Sequence, residues 1–434
     1  MQRKEEKILE EWLGRKNRKP LIIRGARQTG KTTLVRQFAA KVGRELVEVN
    51  FEEQFVFQKI FAEHDIQAIA QSLEIQFDTL LSSDGSILFL DEIQACPEAI
   101  SRLRYFNEKR PDLPVLAAGS LLEFALARTS YSMPVGRVEF VYMGPMTFEE
   151  FLKAHNSFQL LNFFNQFVLG QEVPEGIHDK AVKELRLYTL LGGMPEVLKT
   201  FLDTGSLRQA DRIKQGIIQT LREDFNKYQT RQDIRNLHEV FDRLGTTVGK
   251  KIVYTSLLPG QKSYKAENAV QLFEQAKIIY RVYHSSANGL PLKAGINKKK
   301  AKGVLLDIGL YHALNALSLV SLEQEPDMFF VNEGELAEQL IGQHLLQFGE
   351  SFAPPALFYW SREKRQSSAE IDYLLQYRNT IVPIEVKSGT TGKLRSLHLF
   401  MEQKQLRHAV RFSLHRPCLE KVTSSLPGSR YSYE

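Results

Sequence analysis

At 434 residues the chain is too long for one ordinary core, so two to four domains are expected. Its 43% hydrophobic and 25% charged content is that of a globular protein, and a net charge of +6 permits nucleic-acid contact without demonstrating it. Cys96 and Cys418 are the only cysteines, which excludes a disulfide framework or a cysteine-rich zinc site, and no apolar run is long enough to cross a bilayer.

The charged opening MQRKEEKILEEWL reads as a short amphipathic helix and not as a secretory signal, so a cytoplasmic location is expected, with no membrane partner. The segment LIIRGARQTGKTT then runs from a β-branched strand, Leu21–Ile23, through a Gly-opened loop to the start of a helix with apolar spacing at Leu34, Val35 and Phe38. This is the pattern G-x-x-x-x-G-K-[ST] of a phosphate-binding loop. Gly25 and Gly30 let the backbone curl, and with Ala26, Arg27, Gln28, Thr29 and Thr33 they complete the expected cradle of N–H groups for ATP phosphates. Lys31 would supply charge to those phosphates and Thr32 a ligand to Mg2+. Downstream, SILFLDEIQACP carries an apolar run, Ile87–Leu90, ending in two acids. Such a run suits a central parallel strand with its acids at the C-terminal edge, where open α/β sheets place ligands. Asp91 is expected to hold Mg2+ through water, and Glu92 to orient and deprotonate the attacking water.

The distance from loop to acid pair, together with the strand after it, resembles the pattern of the AAA-type ATPases. This third apolar strand, Val115–Ala118, ends at Gly119 and Ser120, and Ser120 matches the polar residue that senses the γ-phosphate in those proteins. Asn50, at the end of VEVN, falls where many relatives hold the catalytic Glu in check; a turn former is the plain alternative. Arg137 in GRVEF corresponds to an arginine finger that reaches a neighbouring subunit's nucleotide, which would imply a homo-oligomer; a surface ion pair is its alternative.

Past Phe140 the pattern turns helical. GPMTFEEFLKAH has a Thr147 N-cap followed by Glu149 and Glu150, and Gly192, Gly193 and Pro195 in LLGGMPEVLKTF separate one helix from the next, as expected of a helical lid. QTLREDFNKY reads as a long helix. After it come a helix near Asp233–Leu244, a short link around Lys251–Leu257, a helix at about Ser263–Ala276 and a strand–loop–strand from Ile278 to Leu306, a winged helix-turn-helix pattern. Lys298, Lys299, Lys300 and Lys302 would then lie on or beside the wing, within reach of DNA phosphates; a solvated loop is the alternative.

The C-terminal stretch holds a second constellation. AEIDYLLQYRNTIVPIEVKSG reads as two strands joined by a short hairpin, with Asp372 in the first and Glu385 and Lys387 on one face of the second. Carboxylates converging at strand centres are costly unless a divalent metal or a mutual network satisfies them. The set resembles the PD-(D/E)xK nucleases, in which the acids bind Mg2+ and the Lys positions water; here Ile371 stands where the motif's Pro would be. Glu338, on the helix in NEGELAEQLIGQHLL, sits where that superfamily often supplies another acid. A surface ion-pair ladder on an inactive scaffold is the alternative.

As a whole the chain resembles a bacterial and archaeal family of AAA-type ATPases with a C-terminal half of unknown function. The supporting stretches are GRVEFVYMGPMTFEEFL, LGGMPEV, LREDFNKY, LLDIGL, NEGELAEQ and SAEIDYLL with IVPIEVKSG. The resemblance implies an α/β protein: a P-loop AAA-type ATPase core over 1–145, a helical lid over 146–205, a winged helix over 206–310 and a small α/β restriction-endonuclease-like domain over 311–434. It implies ATP and Mg2+ as cofactors and DNA as partner of the winged helix and C-terminal domain.

Overall fold

The computed structural model describes residues 1–63, 65–120, 122, 133–134, 136–227, 231–317, 319, 333–349, 351–364, 367–389, 394–423 and 432–433. Tyr228 of LREDFNKY and Asn332 of NEGELAEQ lie outside the described residues. The chain forms two compact units. One comprises Met1–Met146 with Gln275–Ile278 and Gly349–Pro355; the other comprises Thr147–Glu274, Ile279–Phe348 and Ala356–Glu434.

The first unit is a five-stranded parallel sheet in the order β2-β3-β4-β1-β5, formed by β1 (Leu21–Arg24), β2 (Glu45–Asn50), β3 (Ser86–Asp91), β4 (Val115–Gly119) and β5 (Glu139–Tyr142). Every residue of β3 and β4 is buried, as expected of central strands covered on both faces. Alternation sorts the side chains into two cores. Ile22, Val49, Leu88, Leu90 and Ala117 pack with helices α3 (Phe55–Glu63), α4 (Ile66–Phe77) and α5 (Pro97–Lys109), whereas Leu21, Ile23, Phe89 and Leu116 pack with α1 (Glu5–Leu13) and α2 (Lys31–Lys41).

The second unit begins with helices: α6 (Phe148–Ala154), α7 (Phe158–Gln166), α8 (Glu175–Leu191), α9 (Pro195–Thr204) and α10 (Leu207–Glu223). Thr147 caps α6 in a reciprocal box: its hydroxyl accepts from Glu150 N at 3.3 Å, and Glu150 Oε2 accepts from Thr147 N at 2.7 Å. α10 ends at Glu223, and Asp224–Lys227 continues as a 3-10 turn, shorter than the helix expected of QTLREDFNKY. Next come α11 (Arg231–Leu244), α12 (Tyr254–Leu257), α13 (Ser263–Gln275), the strands β6 (Ile279–Ser285) and β7 (Ile296–Leu305), α14 (Ile308–Leu314) and α15 (Glu333–Leu346). Strands β8 (Phe358–Lys364), β9 (Ser367–Tyr377), β10 (Thr380–Val386) and β11 (Val410–Phe412) follow, with α16 (Arg395–Lys404) before β11.

The strand pair expected as a wing is not a free-standing hairpin. It forms one edge of a mixed six-stranded sheet in the order β11-β10-β9-β8-β6-β7, in which β6 pairs with β8 in parallel. Consequently the Lys run divides: Lys298 and Lys299 are exposed, but Lys302 is buried within a stretch, Ala301–Leu305, that faces the protein interior. Trp360, Ile371 and Ile381 pack on one face of this sheet with Phe400 and Met401 of α16, while Val304, Tyr359, Tyr373 and Ile384 pack on the other with Ile341 and Leu345 of α15.

Two stretches that lie far apart in sequence meet in this unit. The buried carboxylate of Asp307 caps α14, accepting from Gly309 N at 2.9 Å, and also accepts from Gly193 N at 2.6 Å and from Gln343 Nε2 at 3.3 Å. Gly192 must be glycine for this approach: φ is 79° and ψ −173°, and a Cβ there would lie 2.1 Å from Asp307 Oδ1. LLGGMP and LLDIGL thus form one buried joint. Burial pushes the Asp307 carboxyl up to about 6, opposed by its amide donors and by Lys214.

Candidate functional site

The loop between β1 and α2 has the conformation its composition dictates. Gly30 is left-handed at φ 90° and forms the N-cap of α2, and Gln28 also takes a positive φ of 61°. Gly25 meets a different need, since a Cβ there would lie 2.2 Å from the carbonyl oxygen of Met143. The first ladder bond of α2 runs from Leu34 N to Gly30 O, so the amides of Lys31, Thr32 and Thr33 precede the helical ladder and are available to an anion. Thr29 Oγ1 closes the loop on Ala26 O at 3.0 Å, and Arg27 lies 3.8 Å from Glu52. Arg3 braces the cradle from outside: its guanidinium donates to Thr29 O and to Gly144 O, both at 2.8 Å. Sequence reasoning passed over Arg3, because nothing local ties residue 3 to residue 29.

β3 brings the acid pair to this loop. Thr32 Oγ1 donates to Asp91 Oδ2 at 2.8 Å, so the two residues expected to share a magnesium ion already touch. Burial raises the Asp91 carboxyl, while the Thr32 hydroxyl and the Glu92 amide hold it down. Lys31 Nζ donates to Gly25 O at 3.1 Å and to Ala26 O at 2.7 Å, and burial pushes its ammonium down to about 8 against the pull of Glu92 and Asp91. Triphosphate oxygens brought beside that ammonium would raise it again, so the complex holds a proton that the free protein releases above pH 8. ATP affinity is therefore expected to be level below about pH 8 and to weaken by up to roughly tenfold per pH unit above it. Calorimetry in two buffers of different ionisation enthalpy, with proton uptake rising above pH 8, checks this; an affinity independent of pH between 7 and 9.5 sinks it.

Glu92 takes the left-handed conformation, φ 48° and ψ 44°, which turns the chain back on itself at the strand end. Its Oε2 accepts from Gln94 Nε2 at 2.5 Å. Gln94 was not singled out from sequence, and it stands where Asn50 was expected to act. Asn50 Oδ1 instead accepts from Glu52 N at 3.0 Å and Glu53 N at 3.3 Å, the contacts of a turn former. Ser120 follows β4, which lies beside β1, and among the described residues its buried hydroxyl has no hydrogen-bond partner. Arg137 lies at the surface, with Nε 3.0 Å from Glu108 Oε1 in an ion pair shared with Arg104.

A second cluster lies on the mixed sheet. Asp372 on β9 accepts from Val386 N at 2.8 Å, and Lys387 Nζ lies 2.5 Å from Glu385 Oε1. Glu338 on α15 faces the same place, where Tyr373 Oη donates to Glu338 O at 2.8 Å. The structure thus brings together Asp372, Glu385, Lys387 and Glu338. It adds two residues not assigned to this site from sequence: Glu370, and Lys302, whose side chain is 3% exposed. Lys302 was expected near phosphates on a wing, but it lies in the wholly buried half of β7, Ala301–Leu305, and meets these acids. Burial raises Glu338, Asp372 and Glu385. Lys302 is also raised, because Glu338, Glu370 and Asp372 outweigh the effect of its own burial.

Residues 17–152 match the AAA domain family, and this region is an AAA-type P-loop ATPase domain with the parallel α/β sheet of that fold. Residues 182–321 and 333–421 match two domains of unknown function, DUF8612 and DUF4143. No curated protein matches the sequence. Similar solved structures include the ORC2 protein of Aeropyrum pernix in ADPNP and ADP complexes, at 12% identity over 74% of this chain and 92% of that one, with a TM-score of 0.36. AMPPCP-bound DnaA from Aquifex aeolicus shows 14% identity over 62% of this chain and 87% of that one, with a TM-score of 0.26. A signal transduction ATPase with numerous domains and a tetratricopeptide repeat sensor from Pyrococcus horikoshii shows 12% identity over 80% and 50%, with a TM-score of 0.27. Among the described residues no helix is long and apolar enough to cross a membrane.

Proposed function

We propose, from an AAA-type ATPase domain at 17–152, that the protein is a Mg2+-dependent ATP hydrolase acting as a nucleotide-driven switch on DNA. The observation that carries the hydrolase reading is the 2.8 Å contact of Thr32 with Asp91 beside a buried Lys31. These oxygens suit a magnesium ion bound through one protein hydroxyl, one carboxylate and water. When bound, that ion would neutralise charge on the β- and γ-phosphates. Around it the chain's own residues divide the work. The amides of the loop and Lys31 hold the phosphates, Ser120 reports on the γ-phosphate, and Glu92, once released by Gln94, orients and deprotonates water. Arg137 would serve a second copy as a finger, and mixing Arg137→Ala with Lys31→Ala protein should restore turnover that neither has alone.

DNA as the target rests on the net charge of +6 and on the exposed Lys298 and Lys299. Duplex DNA is expected to bind with an affinity that falls steeply with salt, and Lys298→Ala with Lys299→Ala should lower the slope of log K against log[salt] by about two. Fluorescence anisotropy from low to physiological salt measures both. A slope unchanged by the double substitution would remove these lysines from the interface, and no DNA binding at low salt would turn the reading to a protein target. For the acid cluster we favour an inactive nuclease-like scaffold over a nuclease, because a lysine fills its centre.

A further inference from the structure

The position of Lys302 goes beyond the ATPase reading and is independent of it. Its Nζ lies 3.1 Å from Glu338 Oε2, 2.5 Å from Glu370 Oε1 and 3.8 Å from Asp372 Oδ1, with the Tyr359 ring 5.6 Å away on another side. The acids come from two places in the chain: Glu338 from α15, Glu370 and Asp372 from β9. An ammonium carries three donors, and here three carboxylates stand around it. Further lysines line the rim. Lys251 Nζ is 3.5 Å from Glu370 Oε2, Lys250 Nζ is 2.5 Å from Glu335 Oε1, and Lys387 Nζ is 2.5 Å from Glu385 Oε1.

We propose that Lys302 takes the place a divalent cation would occupy among Glu338, Glu370 and Asp372, so that the cluster is neutralised by the chain's own ammonium groups and binds no metal. A magnesium ion needs about six oxygens at roughly 2.0–2.1 Å, whereas here Glu338 Oε2, Glu370 Oε1 and Asp372 Oδ1 already face Nζ and Asp372 Oδ2 accepts from Val386 N. Bringing a doubly charged ion into contact with a buried ammonium would also set like charges against each other where water cannot screen them. Among the described residues no group of three or more His, Cys, Asp or Glu side chains is arranged to hold a metal ion. The metal-ligand roles expected of Glu338 and Asp372 therefore do not fit this chain, and Glu385 is paired with Lys387 instead. The cluster instead ties β7 to β9 and to α15 through one shared charge.

The test uses the full chain, free of nucleotide, with Asp91→Asn as background to silence the ATP site's own metal. Mn2+ titration followed by the electron paramagnetic resonance of the free ion is expected to give the same isotherm with and without an added Asp372→Asn. A site lost on adding Asp372→Asn overturns the proposal. In the same background Lys302→Met should acquire a Mn2+ site, and its melting temperature should rise with the logarithm of Mn2+ concentration, while Lys302→Arg shows no such rise. A folded Lys302→Met protein that ignores Mn2+ also overturns it. If Lys302→Met does not fold, the first comparison decides alone.

Discussion

Glu92→Gln is expected to bind ATP as tightly as the parent protein and to hydrolyse it roughly 10³-fold more slowly. The substitution keeps the shape of the side chain and removes its ability to take a proton. That ability matters only when the attacking water loses one, so the loss falls on turnover and not on binding. The geometry gives a reason to expect a clean separation. Among the described residues Glu92 makes none of the hydrogen bonds that shape the loop, which rest on Thr29, Lys31 and Arg3, and its side chain is held by Gln94. Phosphate release at saturating ATP, set beside calorimetric binding, is the measurement. A variant with parental turnover would remove Glu92 as the base.

Gly192→Ala should be the most damaging single methyl in the second unit. Its backbone, at φ 79° and ψ −173°, lies in a region open essentially to glycine alone, and the added Cβ would fall 2.1 Å from Asp307 Oδ1 and 2.7 Å from Gly309 N. Asp307 cannot step aside without releasing the amides of Gly193 and Gly309 inside the protein. Strain and lost bonds together should cost about 3 kcal/mol or more, and lower the melting temperature of this unit by roughly 5–10 °C. Gly205→Ala is the control. That glycine is also left-handed, at φ 66°, but among the described residues no atom beyond its chain neighbours lies within 4 Å of the added carbon, so it should cost only about 1 kcal/mol. Equal melting of the two variants by calorimetry would show that the joint with Asp307 contributes nothing.

Legibility in the sequence followed locality. The phosphate loop and the β3 acids could be read because each is a short run whose conformation and chemistry are set within a dozen residues: Gly30 is left-handed at the start of α2, and Asp91 and Glu92 come at the end of a wholly buried strand. The lysines of β7 show the opposite case. A run such as Lys298, Lys299, Lys300 and Lys302 looks solvated throughout, yet Ala301, within that run, already belongs to the buried stretch that carries Lys302 inward. Glu370 carried a usable signal, since it precedes Asp372 by two residues and so shares its face of β9. Gln94 and Arg3 carried none: one acts through an unusual backbone turn at Glu92, the other across the fold. The strand–loop–strand ending at Leu306 was visible, but not its partner, because β8 lies far along the chain.

That distant pairing governs the order in which the chain can assemble as it leaves the ribosome. β6 and β7 are made together, but their neighbour β8 comes later in the chain, and β9, β10 and β11 must follow before the sheet has its full width. Lys302 precedes Glu338, Glu370 and Asp372 in the chain, and burying its ammonium before they arrive would be costly. Closure of long-range parallel contacts is slow, and here α15 and β9, which both follow β7 in the chain, bring the charges that surround Lys302.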